Sequence, residues 1–408
     1  MLKTFLDYVR LETTSDESSE STPSTASQFA LAHRVAEDLR ACGIVRVVET
    51  PECYVYATIP ASPGQKQVPP LGFIAHLDTS PEVSGKNVHP RIVEAYDGKP
   101  LVLGSSNIVL DPSLCPELAG MIGKTLVTTD GTTLLGGDDK AGVAILVQLA
   151  RTLAAPDAPS HPELHLAFTP DEEIGRGTVA FDPDLFAAKY AYTVDGSAPD
   201  IFECANFNAA AATFSFTGVN THPGAAKNIM RNAIKMANRV LDSLPVDEAP
   251  ESTEGREGFF HPLAISGSVA KASLSIIVRD HDAKAFDDRK AFLSTLASRL
   301  NKEFGDGSVQ LELHDQYRNM EEALQAAPFL KEAALSAIRS VGLQPVVKPI
   351  RGGTDGAILS QRGIPCPNLG NGGHLFHSLC EFVCLQEMEQ ALSIVLQIAQ
   401  NWHCRFSR

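Results

Sequence analysis

The chain has 408 residues, 44% of them hydrophobic and 20% charged: ample material for a core and too long for one comfortable domain. A formal net charge of −15 excludes nucleic acid and anionic membrane surfaces as electrostatic partners. No run approaches the ~18 apolar residues of a membrane span, charges interrupt the first ten residues where a signal peptide would be apolar, and eight cysteines without a CxxC pair read as reduced thiols, so a cytoplasmic protein is expected.

From the N-terminus, Met1 to Arg10 has helical apolar spacing, and Thr13 to Thr25 is a polar loop of Ser, Thr, Asp, Glu and Pro. Residues 27–43 predict an amphipathic helix, followed by strands at 45–49, 53–59 and 71–76. The last strand delivers His76-Leu77-Asp78. Residues 80–125 lack periodicity, and their length predicts a hairpin or a covering loop. Leu134-Leu135-Gly136-Gly137 leads to Asp138-Asp139, and Ala141 to Leu153 predicts an apolar helix whose N-terminus favours negative charge or ligand. Leu164 to Phe168 runs to Asp171-Glu172-Glu173, and Ala191 to Val194 ends in Asp195.

Beyond residue 207 the pattern changes. Strand Ala210 to Val219, helix Ala225 to Leu244, strands Leu263 to Ala270 and Ala272 to Arg279, helix Ala283 to Phe304 and strand Ser308 to His314 give the order β-α-β-β-α-β. That is the split ferredoxin-like unit. The α/β pattern resumes with helix 327–341, strand 345–349 and helix 386–402. The expected organisation is an α/β domain formed by 1–206 and 319–408, with 207–318 inserted.

In an open α/β sheet the carboxyl ends of the strands form the ligand crevice. Strands that end in His76, Asp195 and the Glu172–Glu173 pair therefore converge on one spot. Asp138 and, near the C-terminus, His377 extend the set. Two imidazoles and several carboxylates suit a pair of divalent cations of the zinc type. Each residue alone has a plainer reading: a structural histidine, a helix N-cap at Asp138, a solvated turn at 171–173, ordinary turn chemistry at Asp195, and weak signals at His377 and Glu381. Their joint arrangement carries the functional reading. Glu172 and Glu173 divide labour in it, one as ligand and the other as general base. Asp78, two residues beyond His76, points to the same side and is placed to orient it. Arg279 and Arg351 are cations suited to a substrate carboxylate, and His222, in a turn, is a donor for a developing oxyanion. No GxGxxG or GxSxG motif occurs, and Gly137 stands where a P-loop needs Lys.

The stretches His76-Leu77-Asp78-Thr79-Ser80-Pro81, Ser84-Gly85-Lys86-Asn87-Val88, Gly136-Gly137-Asp138-Asp139-Lys140-Ala141-Gly142, Thr169-Pro170-Asp171-Glu172-Glu173-Ile174-Gly175 and Arg351-Gly352-Gly353-Thr354-Asp355-Gly356 resemble the peptidase T family. Its members are tripeptide aminopeptidases within the di-zinc aminoacylase and carboxypeptidase G superfamily. The resemblance implies a zinc-peptidase-like catalytic domain with a mixed central sheet flanked by helices, and a ferredoxin-like lid that also mediates a homodimer. It implies two Zn2+ ions bridged by Asp138, one bound by His76 and Asp195 and the other by Glu173 and His377. Asp78 would orient His76, Glu172 would be the general base, and His222, Arg279 and Arg351 would contact a small peptide substrate. A cis Asp138–Asp139 peptide is also implied. His374 is a competitor of His377 for the ligand position. Dipeptidase, N-acyl amino acid deacylase and carboxypeptidase activities on the same scaffold, and a non-catalytic peptide-binding relative, are the alternatives.

Overall fold

The computed structural model describes residues 1–104 and 107–406. The chain divides into two compact units. The first comprises Met1–Cys204, Glu322–Lys348 and the chain from Thr354 on; the second comprises Ala205–Glu321 together with Pro349–Gly353.

An eight-stranded mixed sheet forms the centre of the first unit. Its order is Arg46–Glu49, Val55–Ile59, Leu164–Thr169, Leu71–His76, Ala191–Gly196, Asn368–Gly370, Ile201–Asn206 and Val346–Ile350. Leu71–His76 lies between Leu164–Thr169 and Ala191–Gly196 and runs parallel to both. Every residue of Leu71–His76 and Leu164–Thr169 is buried. This is why these strands read as largely apolar runs: strands inside such a sheet are covered on both faces. One face carries helices Gln28–Ala41, Gly137–Leu153 and Leu385–Asn401, whose apolar stripes join the main core. The other carries a smaller cluster around Tyr54, Phe181, Phe186 and Leu359.

Gly142 lets Gly137–Leu153 approach the sheet closely. A Cβ there would stand 2.1 Å from the Val194 carbonyl oxygen and 2.4 Å from Asp139 Oδ1. The segment 80–125 contains the hairpin of Leu101–Val102 with Val109–Leu110. It also supplies Arg91–Val93 to a small sheet with Leu126–Thr128, Phe382–Cys384 and Gly373–His374. The eight cysteines are all free. Among the described residues no helix is long and apolar enough to cross a membrane.

The second unit is a four-stranded antiparallel sheet in the order Phe259–Gly267, Lys271–Asp280, Asn208–Thr217, Val309–Tyr317. With helices Ala233–Leu241 and Ala283–Phe304 it has the ferredoxin-like connectivity. Lys271–Asp280 alternates buried and less buried residues, with Leu274, Ile276 and Val278 facing the helices. The expected helix from Ala225 to Leu244 is shortened. Asn232 caps its true start by accepting from the Ile234 N–H, and residues 223–225 form a single 3-10 turn after the Pro223-Gly224 pair. Local capping chemistry overrides the apolar spacing there.

Candidate metal centre

Three parallel neighbours in the sheet bring the candidate ligands together. Leu71–His76 ends in His76, Ala191–Gly196 carries Asp195, and Leu164–Thr169 runs into the 3-10 turn Glu172–Ile174. Asp138 does not come off a strand. It sits in non-helical backbone at the start of Gly137–Leu153, after a left-handed Gly136, and its peptide to Asp139 is cis. His377 follows the short strand Gly373–His374.

Asp138 lies between the two imidazoles. Its Oδ1 is 2.9 Å from His76 Nε2, and its Oδ2 is 3.3 Å from His377 Nε2. On the His76 side, Asp195 Oδ1 is 3.3 Å from the same nitrogen. On the other side, Glu173 Oε2 is 2.8 Å from His377 Nε2. Ligand atoms of His76, Asp138 and Glu173 all fall within 4.8 Å of one another, as do those of His76, Asp139 and Asp195.

Asp78 is fully buried beneath this cluster. Its carboxylate accepts the backbone N–H groups of Glu172 at 2.9 Å and Glu173 at 3.2 Å. His76 Nδ1 lies 3.1 Å from the Asp78 backbone carbonyl, its hydrogen-bond partner, and 3.3 Å from Asp78 Oδ1. Asp78 thus ties the imidazole, through its carbonyl, to the Glu pair, through its carboxylate. The third acid of the Asp171–Glu173 run has another task. Asp171 accepts from the Ser24 N–H and Gln28 Nε2, both at 2.7 Å, and fastens the polar N-terminal loop. His374 is also occupied elsewhere, with Nε2 2.7 Å from Glu387 Oε2 and its ring stacked on Phe382.

Several supporting groups were given no role by the sequence, although Asp355 lies in the 351–356 stretch and Glu381 is a weak signal near His377. Asn371 Nδ2 donates to Asp139 Oδ1 at 2.9 Å. Asn368 Oδ1 accepts from the Asp195 N–H at 3.1 Å. The Asp355 N–H reaches Glu172 Oε1 at 3.3 Å, while its side chain accepts from Thr169 Oγ1. Glu381 accepts the backbone N–H groups of Leu135, Gly136 and Asp138 itself. What marks these residues is proximity in space, which residue spacing does not reveal.

The electrostatics are those of a crowded, desolvated acid cluster. Burial pushes Glu172 and Asp195 well above the ordinary carboxyl range and Glu173 up to about 7. Burial works to raise Asp138 as well, yet hydrogen bonds from His377 and His76 hold it below that range. Burial would lower both imidazoles, but the surrounding carboxylates win: His76 is held well above its usual value, and His377 is raised to about 11.

This arrangement fits divalent cations. Glu173 Oε1 is buried without a hydrogen-bond partner, an acceptor left for something other than protein. Two ligands of one tetrahedral zinc stand about 3.3 Å apart, given bonds of about 2.0 Å. The His76–Asp195 and His377–Asp138 pairs have that spacing. Nitrogen and carboxylate oxygen donors are also the set that zinc-type ions take.

The three candidate substrate residues lie in the second unit. Arg351 stacks on Phe207 and Phe259 and donates to the Gly255 and Glu257 carbonyls and to Thr253 Oγ1. Arg279, opposite Phe259 in the strand register, lies over Tyr317 and donates to the Ala210 and Val278 carbonyls. His222 is exposed, and its Nδ1 accepts the Gly224 N–H at 3.1 Å, so the neutral ring carries its proton on Nε2.

Residues 204–308 match the peptidase dimerisation domain. The chain is 44% identical to peptidase T of Bacillus licheniformis over 401 residues, 98% of each chain. The crystal structure of a tripeptidase from Staphylococcus aureus superposes with a TM-score of 0.78 at 21% identity, covering 98% of this chain and 97% of the other. A dinuclear metal-binding peptidase of Bacillus subtilis gives a TM-score of 0.65 at 13% identity, covering 98% and 96%. With the sequence match running nearly end to end and the fold shared, the chain belongs to the peptidase T family.

Proposed function

We propose that this protein is a cytoplasmic, zinc-dependent aminopeptidase that releases the N-terminal residue of tripeptides. The observation that carries the reading is the Asp138 carboxylate, set with one oxygen toward His76 and the other toward His377. His76 and Asp195 would hold one Zn2+, Glu173 and His377 the other, and Asp138 would bridge them. Bound there, the cations would polarise the scissile carbonyl and acidify an attacking water.

Glu172 is the general base: its carboxylate takes the proton of the attacking water and returns it to the leaving amine nitrogen. Burial and the Asp355 N–H on Oε1 hold this group in place, and a raised affinity for protons suits a base that must also act as acid. Asp78 orients His76 and the Glu172 backbone together. His222 donates from Nε2 to the oxygen of the scissile carbonyl, while Arg351 binds the substrate carboxylate and so measures peptide length, with Arg279 as a further substrate contact. Residues 1–206 and 319–408, apart from the Pro349–Gly353 segment that belongs to the second unit, form the catalytic domain, and residues 207–318 act as lid and as the contact of a homodimer, a reading supported by the dimerisation-domain match.

A panel of free-amino di-, tri- and tetrapeptides and N-acyl amino acids tests the substrate class. Preferred cleavage of tripeptides, with the N-terminal residue released, is expected. A preference for dipeptides, acylated amino acids or C-terminal release would move the protein to the dipeptidase, deacylase or carboxypeptidase reading.

A further inference from the structure

Glu381 is almost wholly buried, at 1% exposed, and belongs to no ligand pair. Its carboxylate accepts from three backbone N–H groups of one turn: Leu135 at 2.7 Å and Gly136 at 2.8 Å on Oε2, and Asp138 at 3.1 Å on Oε1. This turn presents Asp138, with a left-handed Gly136 at its centre. It also has no room for a side chain at Gly137, where a Cβ would meet Val383 Cγ2 at 2.5 Å and Glu381 Oε1 at 3.1 Å. The chain that carries Glu381 carries His377 four residues earlier, and His377 reaches the other side of Asp138. One short segment therefore grips the Asp138 carboxylate from the His377 side and the Asp138 backbone from the Glu381 side.

Charge-assisted hydrogen bonds to a buried carboxylate are the strong kind, and a carboxylate is acceptor-only. Ionised, it takes all three N–H groups without offering a competing donor, and these groups work against the burial that raises the carboxyl to about 7. We infer that Glu381 is a positioning residue that locks the 135–138 turn to the His377 segment, so that Asp138 is set for two cations before they arrive. This rests on the metal reading proposed above. Glutamine at this position keeps the shape but turns one acceptor into a donor facing N–H groups.

The test is zinc binding by the full-length, metal-stripped protein, read by competition with a chromophoric chelator. Glu381→Gln is expected to weaken zinc binding about 10- to 100-fold, the usual effect of losing an outer-shell partner. Glu387→Gln serves as the control. It removes another buried acid of the C-terminal region, one bonded to His374 and Lys124 outside the site, and should bind zinc like wild type. Wild-type zinc affinity in Glu381→Gln overturns the inference.

If that variant fails to fold, hydrogen exchange of the metal-free wild-type chain decides. The amides of Leu135, Gly136 and Asp138 should be protected with no metal present, and exchange at open-loop rates would overturn the inference. Because it needs no metal, this measurement also separates the inference from the metal reading, which fails if wild type binds no zinc at all.

Discussion

Asp78→Asn isolates the junction between imidazole and base. The substitution preserves size, but Asn offers one acceptor oxygen and an NH2 group. That NH2 must face either the Glu172 or the Glu173 N–H, which now sit 2.9 and 3.2 Å from the two carboxylate oxygens. The pairing of Asp78 Oδ1 with His76 Nδ1 also loses its charge. A hydrogen bond to a charged group is worth about 1.5–3 kcal/mol, and leaving one buried N–H unpaired falls in the same range. A total near 3 kcal/mol corresponds to about a 100-fold loss in kcat/KM. The loss should fall on kcat, because the Glu172 carboxylate is displaced from the reacting atoms while the substrate-binding groups lie elsewhere. Zinc affinity should drop by no more than about 10-fold, because the Asp78 carbonyl that holds His76 Nδ1 is kept in the variant. Steady-state tripeptide hydrolysis at saturating zinc, with a parallel zinc titration, measures both. Wild-type kcat with wild-type zinc affinity would refute the role given to Asp78.

Glu172→Ala should reduce turnover at least about 100-fold while two zinc ions remain bound if, as proposed, the residue moves protons and is not a ligand; metal analysis beside the rate shows whether activity and metal separate. Gly142→Ala should destabilise the protein, although alanine favours helices by about 1 kcal/mol. Forcing a Cβ against the Val194 carbonyl costs about 1–3 kcal/mol, so the clash wins, and a raised denaturant midpoint would count against it. Glu203 gives a pH test: burial raises its carboxyl to about 7, so the stability it contributes is present at low pH and lost as pH rises from near 4.5 through about 7. Glu203→Gln should therefore gain on wild type across that window, by up to about 3 kcal/mol, and level off above it. A stability difference independent of pH would contradict this assignment.

The grouping of His76, Glu173 and Asp195 in the candidate site was legible because these residues end or follow apolar strands. Leu71–His76, Leu164–Thr169 and Ala191–Gly196 are buried on both faces and so read as largely hydrophobic runs. Once they are taken as parallel neighbours, His76, Glu173 and Asp195 must meet. The inserted unit was legible through strict alternation, as in Lys271–Asp280. What escaped is which partners the long-range hydrogen bonds join. Glu381 meets Leu135 across 246 residues, and Asp355 meets Glu172 across 183. No local pattern announces such a partner. Asp171 looked like part of the acid triplet, yet its left-handed backbone turns the side chain to Ser24 and Gln28. The helix expected from Ala225 failed because apolar spacing does not weigh a capping Asn232.

The most direct test is hydrolysis of a free-amino tripeptide, with products identified by mass, before chelation, after it, and after zinc is restored. The site described here predicts release of the N-terminal residue, loss of activity on chelation, and recovery with about two zinc ions per chain. Undiminished cleavage by protein shown to be metal-free, or none by folded protein carrying two zinc ions, would contradict it.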